Sequence, residues 1–278
     1  MRRWYGLVFG AVVSILLGGT ASALTIDTAG RVLGVVYDID TQWYGSVQSD
    51  SIEKEGPQLG PWDWTLETEA TTEFGALAAV SAQATSIVAT DSELRVSGSM
   101  HSGVGAAVLP TETPTIIDGH TGSVLVLSFT TERPALVTFS GTGWVGMGDE
   151  PIGPVAGDYQ GQARTRVLIC TVPYDPLAPS KPEDCGGIDI IEEMTGPNLR
   201  QDEDLEFQLP SGEYALDIRA LTTFALLGEY ALFPWSEAEF DITIIETPEP
   251  TALPSQLAAL VALAALARRA SFSNLTQS

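Results

Sequence analysis

Apolar residues recur at every second position through most of this chain, and only its two ends abandon the rule. Trp62, Trp64 and Leu66 fall on one face of a strand, with Asp63, Thr65 and Glu67 on the other. Phe74, Ala76, Ala78 and Val80 repeat the alternation with smaller side chains, and Leu94 and Val96 continue it. A period of two belongs to strands, not helices. Val124–Phe129 is apolar on both faces apart from Ser128, as a central strand requires. Leu136–Phe139 and Val167–Cys170 are similar. Leu205, Phe207 and Leu209 alternate with acids and Gln208; Pro210-Ser211-Gly212 then signals a turn before Tyr214, Leu216 and Ile218. Those two runs predict a hairpin. Phe240, Ile242 and Ile244 form the last strand. The segment from Ala70 to Thr90 is Ala-rich enough for a helix, but Thr71, Thr72, Thr85 and Thr90 interrupt it and favour strand. Many short strands with Gly/Pro turns predict an all-β domain, a β-sandwich of jelly-roll-like form, with an irregular barrel as the alternative. No repeat of roughly 20–50 residues is visible.

The ends follow other physics. Arg2 and Arg3 precede an apolar run from Leu7 to Leu17, and Ala21-Ser22-Ala23 offers small residues for cleavage. Residues 1–23 therefore read as a secretory signal peptide handed to the secretion machinery, with Leu24 as the new N-terminus. Near the other end, Leu257–Ala267 contains only Leu, Ala and Val, and Arg268-Arg269 stops the run. A helix started near Thr251 reaches roughly 17 residues, the short limit for a bilayer. The arginines would stay in the cytoplasm. The expected layout is a signal helix, an exported domain over 24–247, and a hydrophobic anchor segment over 248–278.

Pro248-Glu249-Pro250, the Ala/Leu-rich segment and the Arg268-Arg269 pair together resemble the PEP-CTERM sorting signal. The resemblance covers Pro248 to Arg269; Ser255 and Gln256 shorten the apolar run, and Ala270–Ser278 follow the arginines. It implies an exosortase, a membrane cysteine protease-like enzyme, as partner. It also implies transient inner-membrane anchoring, cleavage near the motif, and delivery to the surface or exterior, often with exopolysaccharide in a biofilm. Leu209-Pro210-Ser211-Gly212-Glu213-Tyr214-Ala215-Leu216 is similar to a hairpin common in PEP-CTERM β domains, and Ala238–Ile242 leads into the motif in a familiar way. No activity comes with either likeness.

Charge narrows the partners. Residues 24–247 carry nine basic residues against 35 acidic ones, a net charge near −26. Such a surface repels nucleic acid and anionic lipid. Cys170 and Cys185 are the only cysteines, and after export an even pair reads as a disulfide. It would close a loop of about 15 residues rich in proline and contribute roughly 3 kcal/mol.

Candidates for chemistry are sparse. Gly141-Thr142-Gly143-Trp144-Val145-Gly146 matches a dinucleotide fingerprint, but Gly148, Pro151 and Pro154 forbid the helix it must open. A glycine-rich strand end and loop is expected there. His101, beside Ser102, and His120 sit among Gly, Ser and Thr, and read as exposed loop residues without a nucleophile elbow. No metal-ligand spacing occurs and no cofactor is expected. Calcium is the one cation allowed for, through acidic loops at Asp38 and Asp40 or at Asp202, Glu203 and Asp204. Paired carboxylates would suit an extracellular hydrolase. Trp43, Tyr44, Trp62, Trp64, Trp144 and Trp235 are the aromatic candidates for a sugar platform; Trp43, Tyr44 and Trp144 are expected to be exposed, whereas Trp62 and Trp64 are expected in the core. The leading expectation is a non-catalytic, exosortase-processed surface or matrix protein. A carbohydrate-binding module and a hydrolase are the alternatives.

Overall fold

The computed structural model describes residues 24–41, 45–109, 115–151, 158–171, 188–195, 198–227 and 230–247. Within them every regular element is a strand: β1 Thr25–Thr41, β2 Gly45–Glu55, β3 Gly60–Thr71, β4 Gly75–Ala89, β5 Glu93–Val108, β6 Thr115–Thr131, β7 Ala135–Pro151, β8 Asp158–Thr171, β9 Ile188–Thr195, β10 Leu199–Leu209, β11 Gly212–Leu227 and β12 Tyr230–Glu246. They form two sheets packed as a β-sandwich, ordered β2-β1-β6-β11-β8-β9 and β10-β7-β12-β5-β4-β3. Every pairing is antiparallel. The signal segment with Ala21 and Ala23, Trp43, Tyr44, Cys185, Pro248, Glu249, Pro250, Arg268 and Arg269 lie outside the described residues.

Alternation drives the assembly. In β12 the residues from Leu232 to Ile244 at even positions are buried, including Ala238, Phe240 and Ile242. Phe233, Trp235, Glu237, Glu239 and Asp241 point the other way. β6, apolar on both faces, lies between β1 and β11 as a central strand should. The Ala-rich stretch is strand in both β3 and β4.

Two apolar clusters fill the interior. The larger gathers Leu94, Leu127, Phe129, Val137, Tyr214, Leu216 and Ile242; the smaller gathers Val35, Ile39, Leu77, Ile117, Leu226 and Leu232. Between them runs a waist of small polar residues. Ser81 donates to Gly122 O (2.6 Å), Thr121 to Val80 O (3.1 Å), Ser102 to Thr121 O (2.9 Å) and Ser236 to Leu221 O (3.1 Å). Each bond crosses from one sheet to the other. Small side chains let the sheets approach until hydroxyls reach opposing carbonyls, so buried polar groups are satisfied without water.

Two expectations about connectivity change. The runs around Pro210-Ser211-Gly212 do not pair: β10 belongs to one sheet and β11 to the other. The segment is a corner, not a hairpin. Tyr214 Oη donates back to Pro210 O at 2.9 Å, and its ring stacks on Phe129 at 5.7 Å. The Leu-Pro-Ser-Gly-Glu-Tyr order thus encodes a locked passage between layers. Trp64 is the second correction. It shares the inward side with buried Trp62, but β3 is an edge strand and Trp64 stays 46% exposed. Lys54 lies 4.8 Å over its ring and shields the open edge.

Candidate functional site

The outer face of the second sheet collects the candidate chemistry. Cross-strand register sets its rows. One row runs Ala82, His101, Glu237, Trp144, Arg200; the next runs Ala84, Ser99, Glu239, Thr142, Asp202; a third runs Ser86, Ser97, Asp241, Ser140, Asp204. Toward the opposite end, Trp235 pairs with Gly103 and Gly146, and Phe233 with Gly148. Directly opposed residues share a face and touch.

Glycine makes room for the rings. A Cβ at 146 would lie 2.2 Å from the Trp235 ring, so the indole occupies space that only glycine leaves open. Phe233 lies over Gly105 at ordinary contact distance, 3.4 Å from a would-be Cβ. Trp144 meets Trp235 edge to face, with centroids 4.6 Å apart, in the geometry that aromatic quadrupoles favour. Arg200 sits 6.0 Å over Trp144 and is held by both carboxylate oxygens of Asp202. That bond, with a second from Thr142 Oγ1 at 2.6 Å, holds the Asp202 carboxyl below its ordinary range.

The platform is fixed from beneath. The Thr165 hydroxyl, on the other sheet, is shared between the carbonyls of Trp144 (3.3 Å) and Glu237 (3.1 Å). Ser236, between Trp235 and Glu237, anchors inward to Leu221 O. The waist therefore immobilises the backbone that carries the rings, as binding constellations require.

Two grooves flank the rings. One, of about 600 Å³, lies over Gly98, Ser99, Ser140 and Gly141 and is walled by Asp202, Asp204, Glu239 and Asp241. Gly98 has φ +148°, and a Cβ there would come within 2.1 Å of Ala84 O; the floor can be low only with glycine. The other groove, of about 440 Å³, runs between Phe233 and Trp235 on one side and Glu67 and Glu69 on the other, floored by Ala78, Val80, Gly103 and Gly105.

Several sequence expectations move. Gly141–Gly146 is the middle of β7, not a loop, yet Trp144 is exposed at 39%. His101 and His120 lie in β5 and β6. His120 is exposed, whereas His101 is half-buried, and desolvation pushes its imidazole below the ordinary value, partly offset by Glu237. Ser102 cannot serve His101, because neighbours on a strand face opposite ways and Ser102 bonds Thr121 and Thr222 in the interior. Asp38 and Asp40 are in β1 and Asp202, Glu203 and Asp204 in β10, not in loops. Asp38 is paired across the ladder with Asp118. Among the described residues no three His, Cys, Asp or Glu converge as a metal site. Cys170, buried on β8, is disulfide-bonded.

Sequence reasoning missed Phe233 as a site residue, and it offered Trp235 as an aromatic candidate without singling it out as exposed. The period-two reading that marks Phe240 and Ile242 as inward, carried back along β12, puts both rings outward with Glu237 and Glu239.

No family model matches the chain, and no curated protein matches it. Among solved structures, that of the infectious bursal disease virus Gx strain aligns over 84% of this chain and 68% of that one, at 5% identity and a TM-score of 0.21. So low a score carries no argument about fold or function.

Proposed function

We propose that this is an exported, non-catalytic matrix protein that holds a polysaccharide on the outer face of its second sheet. The observation that carries this reading is the row of rings from Trp144, Trp235 and Phe233 on a backbone pinned from the other sheet. Sugar rings have an apolar face that stacks on such surfaces, and their hydroxyls donate to flanking carboxylates and exchange hydrogen bonds with serines. The sorting part of the proposal rests on the resemblance at Pro248-Glu249-Pro250 with Arg268 and Arg269. It is supported by where the described fold closes. Thr247 is tied to Pro134 O through both its N–H and its hydroxyl, each at 2.8 Å. Cleavage by an exosortase beyond that point removes none of the described strands. At the other end, Leu24 is buried in the larger cluster and its N–H donates to Asp91 O, so release after Ala23 leaves the domain whole.

The finer fold reading is a jelly roll. The order β5-β12-β7-β10 facing β6-β11-β8-β9 supports it, with β1–β4 extending the two sheets on one side.

The test is retention of the exported protein on the producer's own exopolysaccharide. Trp144→Ala with Trp235→Ala should lose retention while keeping its thermal unfolding transition. Equal retention of a folded double variant would remove the glycan reading and leave a passive matrix component. Separately, Ala-Ala-Ala in place of Pro248-Glu249-Pro250 should leave the protein in the inner membrane; normal release would remove the sorting reading.

A further inference from the structure

The groove between Phe233, Trp235, Glu67 and Glu69 has a composition that selects among glycans. We infer that it takes a polysaccharide bearing free amino groups, a glucosamine-type polymer, in preference to neutral or uronate chains; this rests on the glycan reading above. The groove spans β3, β4, β5 and β12, three strand spacings or roughly 14 Å between the outer backbones. Its floor is Ala78, Val80, Gly103 and Gly105, so one chain of sugar rings lies on bare backbone and two small apolar side chains. One wall is aromatic and the other is acidic. Exposed Glu67 and Glu69 stand two residues apart on β3 and so face the same way.

Each wall asks for a different part of the ligand. Trp235 and Phe233 accept an apolar pyranose face, and an ammonium near a ring adds a cation–π attraction. The two carboxylates pair with ammonium through charge-assisted hydrogen bonds. A neutral glycan stacks on the aromatic wall and offers the acidic wall only uncharged hydroxyl donors, which make weaker bonds than an ammonium. A uronate chain meets repulsion from Glu67 and Glu69, and beyond them from Glu237 and Glu239 on the same sheet face. A basic peptide is the competing polycation. Extended peptides gain affinity by pairing their backbone with a free sheet edge. Here the rings and the floor sit on β12, β5 and β4, each hydrogen-bonded to a strand on both sides. A sugar chain needs no backbone partner.

The test is calorimetric titration of the full exported protein, at about pH 6, with four probes: a glucosamine hexamer, its fully N-acetylated form, a uronate hexamer and hexalysine. The glucosamine hexamer should bind at least tenfold more tightly than the acetylated one, and the uronate hexamer should be weakest. Glu67→Gln with Glu69→Gln, both on the exposed edge strand, should bring the two hexosamines to within about threefold while leaving the acetylated form unchanged. Trp235→Ala should weaken both. Equal affinity of the two hexosamines in wild type, both dependent on Trp235, would overturn this inference and leave the glycan reading standing. Absence of Trp235-dependent binding of any sugar would overturn both. Hexalysine binding as tightly as the glucosamine hexamer and indifferent to Trp235→Ala would mark the face as a plain polyanion and overturn the inference.

Discussion

On the outer face of the first sheet, Asp217 is fully buried between Arg166 (2.7 Å) and Arg219 (2.8 Å); on the outer face of the second, Asp204, Glu239 and Asp241 stand exposed. The two faces belong to one sandwich and share one antiparallel geometry, yet they handle charge in opposite ways. Beside Asp217, Leu168, Cys170 and Ala215 are also buried on that outer face, so the carboxylate there has no water to fall back on. A buried charge must be met by opposite charge and hydrogen bonds, which makes Asp217 structural. The exposed acids cost little to keep ionised, and their field stays available to a ligand. The comparison teaches that in so acidic a chain, composition says little about which carboxylates act; what lies over each one decides.

The comparison breaks most visibly at Asp217. Asp217→Asn should destabilise the domain by about 3 kcal/mol, because two guanidinium groups lose their buried counter-charge. Asp241→Asn on the other face should change stability by no more than about 0.5 kcal/mol. Urea unfolding of both variants reads the difference, and equal losses would mean that the two faces are not distinct.

A second test stays on the open face. Trp144→Ala should cost about 1 kcal/mol, the worth of an edge-to-face ring pair, and leave the transition cooperative. A loss of several kcal/mol would show that Trp144 is part of the fold's support and not of a surface platform.

His101 offers a finer distinction. Its folded-state value lies below the unfolded one because of burial, so the folded domain resists protonation there. Stability from this group is present above about pH 6.5 and is lost as pH falls below that toward the folded value. His101→Gln should flatten the decline in melting temperature just below pH 6.5. An unchanged profile would mean that the imidazole is as hydrated as the acids around it.

The smallest effect is expected at Asp118, an exposed acid on the first sheet. Burial first, then repulsion from Asp38 and Asp40, raises its carboxyl above the ordinary value. The folded state then holds the proton more tightly, so stability is greatest at low pH and falls as pH rises from about 4 through the folded value. Asp118→Asn should add a few tenths of a kcal/mol at neutral pH, where like charges oppose each other across the ladder, and nothing at pH 3. Chemical denaturation at the two pH values checks it.

Read alone, the sequence was sufficient for a strand run in each of β3–β8 and β10–β12 and for much of the inward set, but not for β1, β2 or β9. Leu94, Val96, Leu216, Ile218, Ile242 and Ile244 are all buried as their alternation requires, and Val124–Phe129 is a central strand. Period-two burial is a local property, so neighbouring residues already contain it. Exposure of Trp144 was legible too, although its placement in a strand was not. What sequence could not carry is which strand lies beside which. Pro210-Ser211-Gly212 looks the same whether the flanking strands pair or part; only the seating of β10 beside β7, and of β11 between β6 and β8, makes it a corner. Trp64 has the spacing of a core residue, but its exposure depends on β3 standing at the edge of the sheet among the described residues. The candidate site depends on the same information. Trp144, Trp235, His101 and Glu237 are spread over three strands far apart in the chain, and cross-strand register brings them together. Alternation specifies which face a side chain takes, whereas its neighbours on that face are set by long-range pairing, and pairing is a property of the whole sandwich.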